Sequence, residues 1–172
     1  MSTDEWKIRE EAPGDAGQVF EVEAAAFETP AEAQLVDALR QQVKPTLSLV
    51  AEAGDEIIGH VFFSPLAIEG DVAPSVGGLA PIAVRPDLQG RGVGGALVRA
   101  GLERAPRLGW KAVFLLGDPA YYSRFGFELA APRGFHYVSE QFDAGFQVIL
   151  LEEAALDGCS GFVRYPAAFD AL

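Results

Sequence analysis

The sequence predicts a mixed α and β fold, a single sheet with helices on its faces. Three observations carry this. Apolar residues recur at helical spacing in two early segments and again after a glycine-rich run. Alternating or unbroken apolar runs, bounded by Gly and Pro, read as strands. The two kinds interleave in the order β, α, α, β, β, β, α, β, α, β, β, which a sheet flanked by helices satisfies. With 172 residues, 49% hydrophobic and 22% charged, one domain over residues 1–172 is expected to bury roughly 70% of its unfolded surface without disulfide or metal. No repeat, low-complexity tract or linker interrupts it.

Lys7 to Glu11 reads as a short strand. Asp15 precedes Val19, Val22 and Ala26 at helical spacing and is the expected cap of a first helix. Thr29 and Pro30 open a second helix to about Gln42, with Leu35, Val36 and Leu39 on one face. The period then changes to that of strands: Leu47 to Ala53, a turn at Gly54 and Asp55, and Glu56 to Ile68 form a hairpin. Val76 to Val84 is a further strand, followed by a helix from about Gly92 to Ala105, which Pro106 ends or kinks before Gly109. Lys111 to Leu116 is a buried strand, Tyr121 to Phe125 a short helix, Phe127 a strand start, and Phe146 to Leu151 the last clear strand.

Composition excludes several functions. Cys159 is the only cysteine, and His60 and His136 are the only histidines, so no disulfide framework, cysteine cluster or all-histidine metal site is expected. The polar, acidic start MSTDEWKIREE lacks the basic patch and apolar run of a signal peptide. The longest apolar stretches fall short of the roughly 18 residues of a membrane span. A cytoplasmic protein that does not act on membranes is expected. The net charge of −12 repels a phosphodiester backbone, so nucleic acid is not an expected partner. Charge is also uneven: residues 1–71 carry 15 acids and 4 bases, and residues 85–111 carry 6 bases and 2 acids. A positive island in an acidic chain is either the wet face of a helix or the site of an anionic ligand.

That island contains Gln89-Gly90-Arg91-Gly92-Val93-Gly94-Gly95, between a strand and a helix. Glycines let a ligand approach the main chain, and the helix start offers unpaired N–H groups at the positive end of its dipole, a seat for pyrophosphate. A P-loop would need Gly-Lys-Ser/Thr, which is absent. The dinucleotide pattern G-x-G-x-x-G is met by Gly90, Gly92 and Gly95, with Asp118 as the ribose acid. The intervening Arg85 to Gln89 and the distance to Asp118 are wrong for that fold, and no second βαβ unit follows.

Gln89-x-x-Gly92-x-Gly94 resembles the Q/R-x-x-G-x-G/A signature of acyl-CoA binding in the GNAT superfamily of N-acetyltransferases. Ile82-Ala83-Val84-Arg85-Pro86 looks like that family's fourth strand. Tyr122-Ser123-Arg124-Phe125-Gly126-Phe127 resembles its tyrosine and Gly-Phe strand start, and the paired Tyr121-Tyr122 is similar to a branch of predicted acetyltransferases. The resemblance implies a GNAT-like α+β fold: a mixed, mostly antiparallel sheet of about seven strands, with strands four and five splayed to admit acyl-CoA. It implies that the main chain of Gln89, Gly90, Arg91, Gly92, Val93, Gly94 and Gly95 holds the CoA pyrophosphate, and that Ile82, Ala83 and Val84 pair with pantetheine. The Ile82 amide would donate to the thioester oxygen, and Tyr122 would be the general acid that protonates the leaving thiolate. Pro81, with no N–H, suits a strand whose edge needs no ladder bond there. Arg85, Arg91 and Arg99 are candidates for CoA phosphates, Arg91 foremost.

The chain departs from the family at two places. Gly78 stands where many members carry a glutamate base, and Gly117 and Asp118 stand where many carry an asparagine. His60, His136 and Glu140 remain as candidate bases. The resemblance thus implies acetyl transfer from acetyl-CoA, as co-substrate and without metal, to a primary amine of a small molecule or peptide. The alternative is a non-catalytic acyl-CoA sensor of the same fold. Phe135 to Phe146 is a candidate pocket rim, and the aromatic tail Phe162 to Phe169 would cover either a homodimer partner or its own sheet.

Overall fold

The computed structural model describes residues 5–70 and 73–172. In chain order the elements are β1 (Lys7–Glu10), α1 (Ala16–Ala26), α2 (Ala31–Gln42), β2 (Leu47–Ala53), β3 (Glu56–Ile68), β4 (Val76–Val84) and α3 (Val93–Arg104). They continue with β5 (Ala112–Leu116), α4 (Pro119–Tyr122), β6 (Glu128–Leu129), β7 (Phe135–Tyr137), β8 (Phe146–Leu150) and β9 (Gly161–Arg164). Among the described residues no helix is long and apolar enough to cross a membrane.

The predicted hairpin closes at Gly54, where φ is +62°, and β2 pairs with β3 from Leu47↔Phe63 to Ala53↔Glu56. Asp15 differs from its expected role. It does not cap α1; its carboxylate accepts from the Ala12 N–H at 2.7 Å and is bridged by Arg9. The competing guanidinium turns the side chain away from the helix. Thr29 does as expected, its Oγ1 accepting from Ala31 N–H at 3.3 Å. Pro106 ends α3 at Arg104, and the chain turns once more before Gly109 at φ +84°.

Nine strands are found among the described residues, in the order β1-β2-β3-β4-β5-β8-β6, with β9 pairing the end of β3 and β7. The two beyond the expected seven, β7 and β9, are three and four residues long, too short for alternation to register. Every pair is antiparallel except β4–β5 and β7–β9. The aromatic tail packs on its own chain: Val163 pairs with Ile68, and Phe169 is buried with Leu39, Phe62 and Val36.

β4 meets β5 only at Gly77↔Val113 and Gly78↔Phe114. The approach there is close: a Cβ on Gly77 would lie 2.5 Å from the Trp110 ring, and one on Gly78 2.8 Å from Leu66. Beyond Gly78 the strands part, leaving Leu79 to Val84 without ladder partners on that side. On the other side β4 carries a bulge. Ile82 pairs with Val61 and Leu79 with Phe63, so Ala80–Pro81 contributes the extra residue, where a missing N–H costs nothing.

Three apolar clusters hold the layers together. One joins Phe63, Ile58 and Leu79 to Val93, Leu97 and Val98 of α3. Another joins Val50, Phe62 and Ala83 to α1 and α2. The third surrounds Phe114, Phe135 and Phe146. The alternation of β4 thus sends Ile82 and Val84 toward α3 and Ala83 toward α1 and α2.

Candidate active site

The parting of β4 and β5 opens a cleft of about 480 Å³. Its lining includes Ile82–Val84 of β4, Gln89, Gly90 and Gly92–Gly95 of the loop and helix start, and Tyr121 and Tyr122 of α4. All the elements singled out in the sequence around residues 82–95 and 121–125 therefore meet in one place. Gly90 and Gly92 sit at φ +78° and +89°, a backbone region costly for other residues. Gly92 is the N-cap of α3, so the chain turns sharply and sets the first turn of the helix, Val93 to Gly95, in the lining of the cleft, at the positive end of the helix dipole.

Gln89 has a role the sequence did not disclose. Its Nε2 donates to the Val84 carbonyl at 3.0 Å, tying the loop to the end of β4. Gly94 is crossed by Tyr121, whose hydroxyl would lie 3.3 Å from a Cβ at that position. The positive charge in the lining comes from Arg99 and Arg124. Arg99 stacks over the Phe125 ring at 4.9 Å and Arg124 over Tyr121 at 4.5 Å, which fixes both guanidinium groups.

The other arginines of the island stand elsewhere. Arg91 is exposed on the loop near Asp87, whose carboxyl is lowered first by its hydrogen bond to Arg85 and only in small part by the charge of Arg91, and it is not among the lining residues. Arg85 is held by Asp87 and Glu56 at 2.7 and 3.0 Å.

Tyr122 is half-buried. Its ring lies on Gly117, where a Cβ would be 2.6 Å from Cε2, and edge-on to Tyr121 and Phe127, 4.9 and 6.0 Å between centroids. Burial, helped by Tyr121, pushes its hydroxyl up to about 12, so it carries its proton throughout the neutral range. Gly117 is fixed in turn. Its N–H donates to the Gly145 carbonyl at 2.9 Å, and its carbonyl accepts from Gln147 Nε2 at 3.1 Å.

Asp118 is no ribose acid. Its Oδ1 accepts from Ala120 N–H at 2.9 Å and caps α4. The three candidate bases are not in the cleft either. His60 is fully buried between Glu23 and Ser48, His136 binds Asp143 at 2.8 Å, and Glu140 opens an exposed turn. Of the expected pocket rim only the two ends, Phe135 and Phe146, are core, buried around Phe114; between them the chain is half-buried or exposed, and Tyr137 and Val138 line a separate hollow with Phe162 and Tyr165.

Comparison with known proteins decides the family. The description "Acetyltransferase (GNAT) domain" matches residues 7–130. The chain belongs to the GNAT acetyltransferases. As a GNAT protein it is an acyltransferase, and its splayed β4 and β5 are those of the GNAT fold. It is 42% identical over 164 residues to the uncharacterized N-acetyltransferase YhbS of Escherichia coli K12, covering 95% of this chain and 98% of that one. The crystal structure of Escherichia coli YhbS in complex with CoA superposes with a TM-score of 0.89 at 39% identity, covering 96% of this chain and 92% of that one. A GNAT acetyltransferase from Brucella melitensis in complex with acetyl-CoA gives 0.79 at 36% identity, covering 97% and 99%.

Proposed function

We propose that this GNAT protein transfers the acetyl group of acetyl-CoA to a primary amine by direct attack of the amine on the thioester. The observation that carries the reading is the composition of one cleft: Ile82–Val84, which has no ladder partner on the β5 side, the α3 N-terminus behind Gly90–Gly95, and Tyr122 all line it. The complexes of the two relatives with CoA and acetyl-CoA support the same choice of donor.

In this reading the first-turn N–H groups of α3 and the loop receive the pyrophosphate, and Arg99 and Arg124 neutralise phosphate charge. Ile82–Val84 pair with pantetheine as a neighbouring strand would. The Ile82 N–H donates to the thioester oxygen, which gains negative charge as the amine attacks. A C–N bond forms, the C–S bond breaks, and the Tyr122 hydroxyl gives its proton to the departing thiolate. A phenol held near 12 keeps that proton until the sulfur is fully charged, then accepts one back from solvent.

Thermal unfolding with acetyl-CoA, CoA and NADH side by side tests the donor. A ligand at 100 times its Kd adds about 2.7 kcal/mol, several degrees for a chain of this length. A shift with the CoA compounds and none with NADH is expected. Release of CoA thiol is then followed over a panel of polyamines, amino acids, aminoglycosides and lysine peptides. Binding of CoA without thiol release for any amine would leave a sensor and refute the enzyme.

A further inference from the structure

Two residues of the glycine segment have no backbone reason to be glycine. Gly90 and Gly92 sit at positive φ, whereas Gly94 and Gly95 lie in the first turn of α3 without it, where alanine would be the better helix former. What they supply is room, and two side chains occupy it. A Cβ on Gly95 would lie 3.2 Å from Nη1 of Arg99, and one on Gly94 would lie 3.3 Å from the Tyr121 hydroxyl. A guanidinium and a phenol can therefore lie directly against a turn whose N–H groups have no partner within the helix.

The rest of Tyr121 is tied down. Its ring stands edge-on to Tyr122 and Phe125, 4.9 and 5.4 Å between centroids. The Arg124 guanidinium covers the ring at 4.5 Å, and its Nε donates to the Tyr121 carbonyl at 2.8 Å. The Tyr121 N–H donates to the Asp118 carbonyl at 3.0 Å. Only the hydroxyl is left over: among the described residues it has no hydrogen-bond partner. A phenol whose ring is fixed and whose hydroxyl is free is organised for a ligand rather than for the fold.

The surroundings select the ligand atom. Arg99 and Arg124 line the cleft, and among the described residues no carboxylate does. The positive end of the α3 dipole adds to that charge. A phosphate oxygen accepts several hydrogen bonds and donates none. It can take a first-turn N–H, an Arg99 N–H and the Tyr121 O–H together, each strengthened by its negative charge.

We propose that Tyr121 is a cofactor-binding residue whose hydroxyl donates to a pyrophosphate oxygen of CoA seated on the first turn of α3, in the room left by Gly94. The inference rests on the reading of the cleft as a CoA site. It divides the paired tyrosines by role: Tyr122 faces the thiolate, and Tyr121 faces the nucleotide. It also gives the second pair of glycines in the segment a purpose distinct from that of Gly90 and Gly92, which turn the chain.

Isothermal titration with CoA and with dephospho-CoA, which keeps the pyrophosphate and lacks the 3′-phosphate, tests this without any acceptor. Tyr121→Phe keeps every ring contact and removes one hydrogen bond to a charged group, so both ligands are expected to bind about tenfold more weakly. The melting temperature of the free variant should match the wild type, because the hydroxyl has no partner in the protein. Gly94→Ala crowds the hydroxyl and should also weaken both ligands, but by less in the Tyr121→Phe background, where the crowded atom is gone. Unchanged affinity in Tyr121→Phe overturns the assignment. A loss confined to CoA moves the hydroxyl to the 3′-phosphate, and an equal cost of Gly94→Ala in both backgrounds shows that the glycine serves the ligand alone; either result also overturns it. A wild-type protein that binds neither ligand refutes the CoA reading itself, whereas wild-type binding that survives intact in Tyr121→Phe refutes only the role of Tyr121.

Discussion

The ring of Tyr122 rests on the backbone of Gly117, so closely that a Cβ at 117 would stand 2.6 Å from Cε2. Gly117 sits at the end of β5, anchored by Gly145 and Gln147, and thereby sets how deep the phenol reaches into the cleft. Gly117→Ala is expected to push the ring aside. Displacement of a reacting group by about 1 Å costs on the order of 100-fold, so kcat should fall by roughly that factor while CoA affinity stays. Turnover and isothermal titration of the variant check this, and unchanged kcat would mean that the position of the hydroxyl does not matter.

Tyr122→Phe keeps the ring contacts with Tyr121 and Phe127 and removes only the hydroxyl. A positioned general acid is worth roughly 100-fold or more, and a loss of that size in kcat is expected, with acetyl-CoA binding as in the wild type. Full kcat across the pH range would remove Tyr122 from the chemistry.

Much of this was legible before any coordinates. The β2–β3 hairpin and the bounds of β4 follow from apolar period and glycine placement, because those signals are local, whereas the meeting of residues 82–95 with 121–125 was implied by the resemblance to the GNAT superfamily. The terminal strands were not legible: β7 and β9 are held by partners far along the chain, Phe135↔Gly161 and Ile68↔Val163, and carry no period of their own. Lone side chains were least legible. Gln89 read as part of a phosphate loop and proves to brace Val84, Asp15 read as a cap and proves to be an Arg9 partner, and His60 gave no sign that Glu23 and Ser48 lie on either side of it. Spacing along the chain cannot report contacts that only the packing of α1 on β3 creates.

The brace at Gln89 makes its own prediction. Gln89→Ala removes the bond to the Val84 carbonyl, one neutral hydrogen bond of about 1 kcal/mol, from an exposed loop. CoA affinity should drop about fivefold with little change in melting temperature, because the loop is organised for the ligand rather than for the core. Titration with CoA beside a thermal melt separates the two effects, and a lower melting temperature with unaltered affinity would show a purely structural brace.

The arginines divide by position. Arg99 and Arg124 line the cleft on aromatic rings, while Arg91 stands outside it near Asp87. Charge-assisted bonds to phosphate are worth about 1.5–3 kcal/mol, so Arg99→Ala should weaken CoA binding by roughly tenfold or more, and with a shallower salt dependence. Arg91→Ala should weaken it less. Titration of CoA at two salt concentrations ranks them, and a larger loss for Arg91 would move the phosphate site to the outer side of the loop.

The buried Glu23–His60 pair makes stability depend on pH in a defined direction. The folded state holds Glu23 at about 9, far above the unfolded carboxyl, and His60 at about 3, far below the unfolded imidazole. Between about 3 and 4.5 only His60 matters: the unfolded chain binds the extra proton, so stability rises with pH. Between about 4.5 and 6.5 the two groups cancel. From about 6.5 to 9 the folded state retains the Glu23 proton that the unfolded chain has lost, and stability falls by up to about 1.4 kcal/mol per pH unit. Glu23→Gln carries no titrating proton yet still donates to His60, so its stability should hold level over that upper window. Urea unfolding of both proteins from pH 6 to 9 measures the slopes. Parallel declines would show that Glu23 is already ionised in the folded protein, and that the pair is a buried ion pair rather than a neutral one.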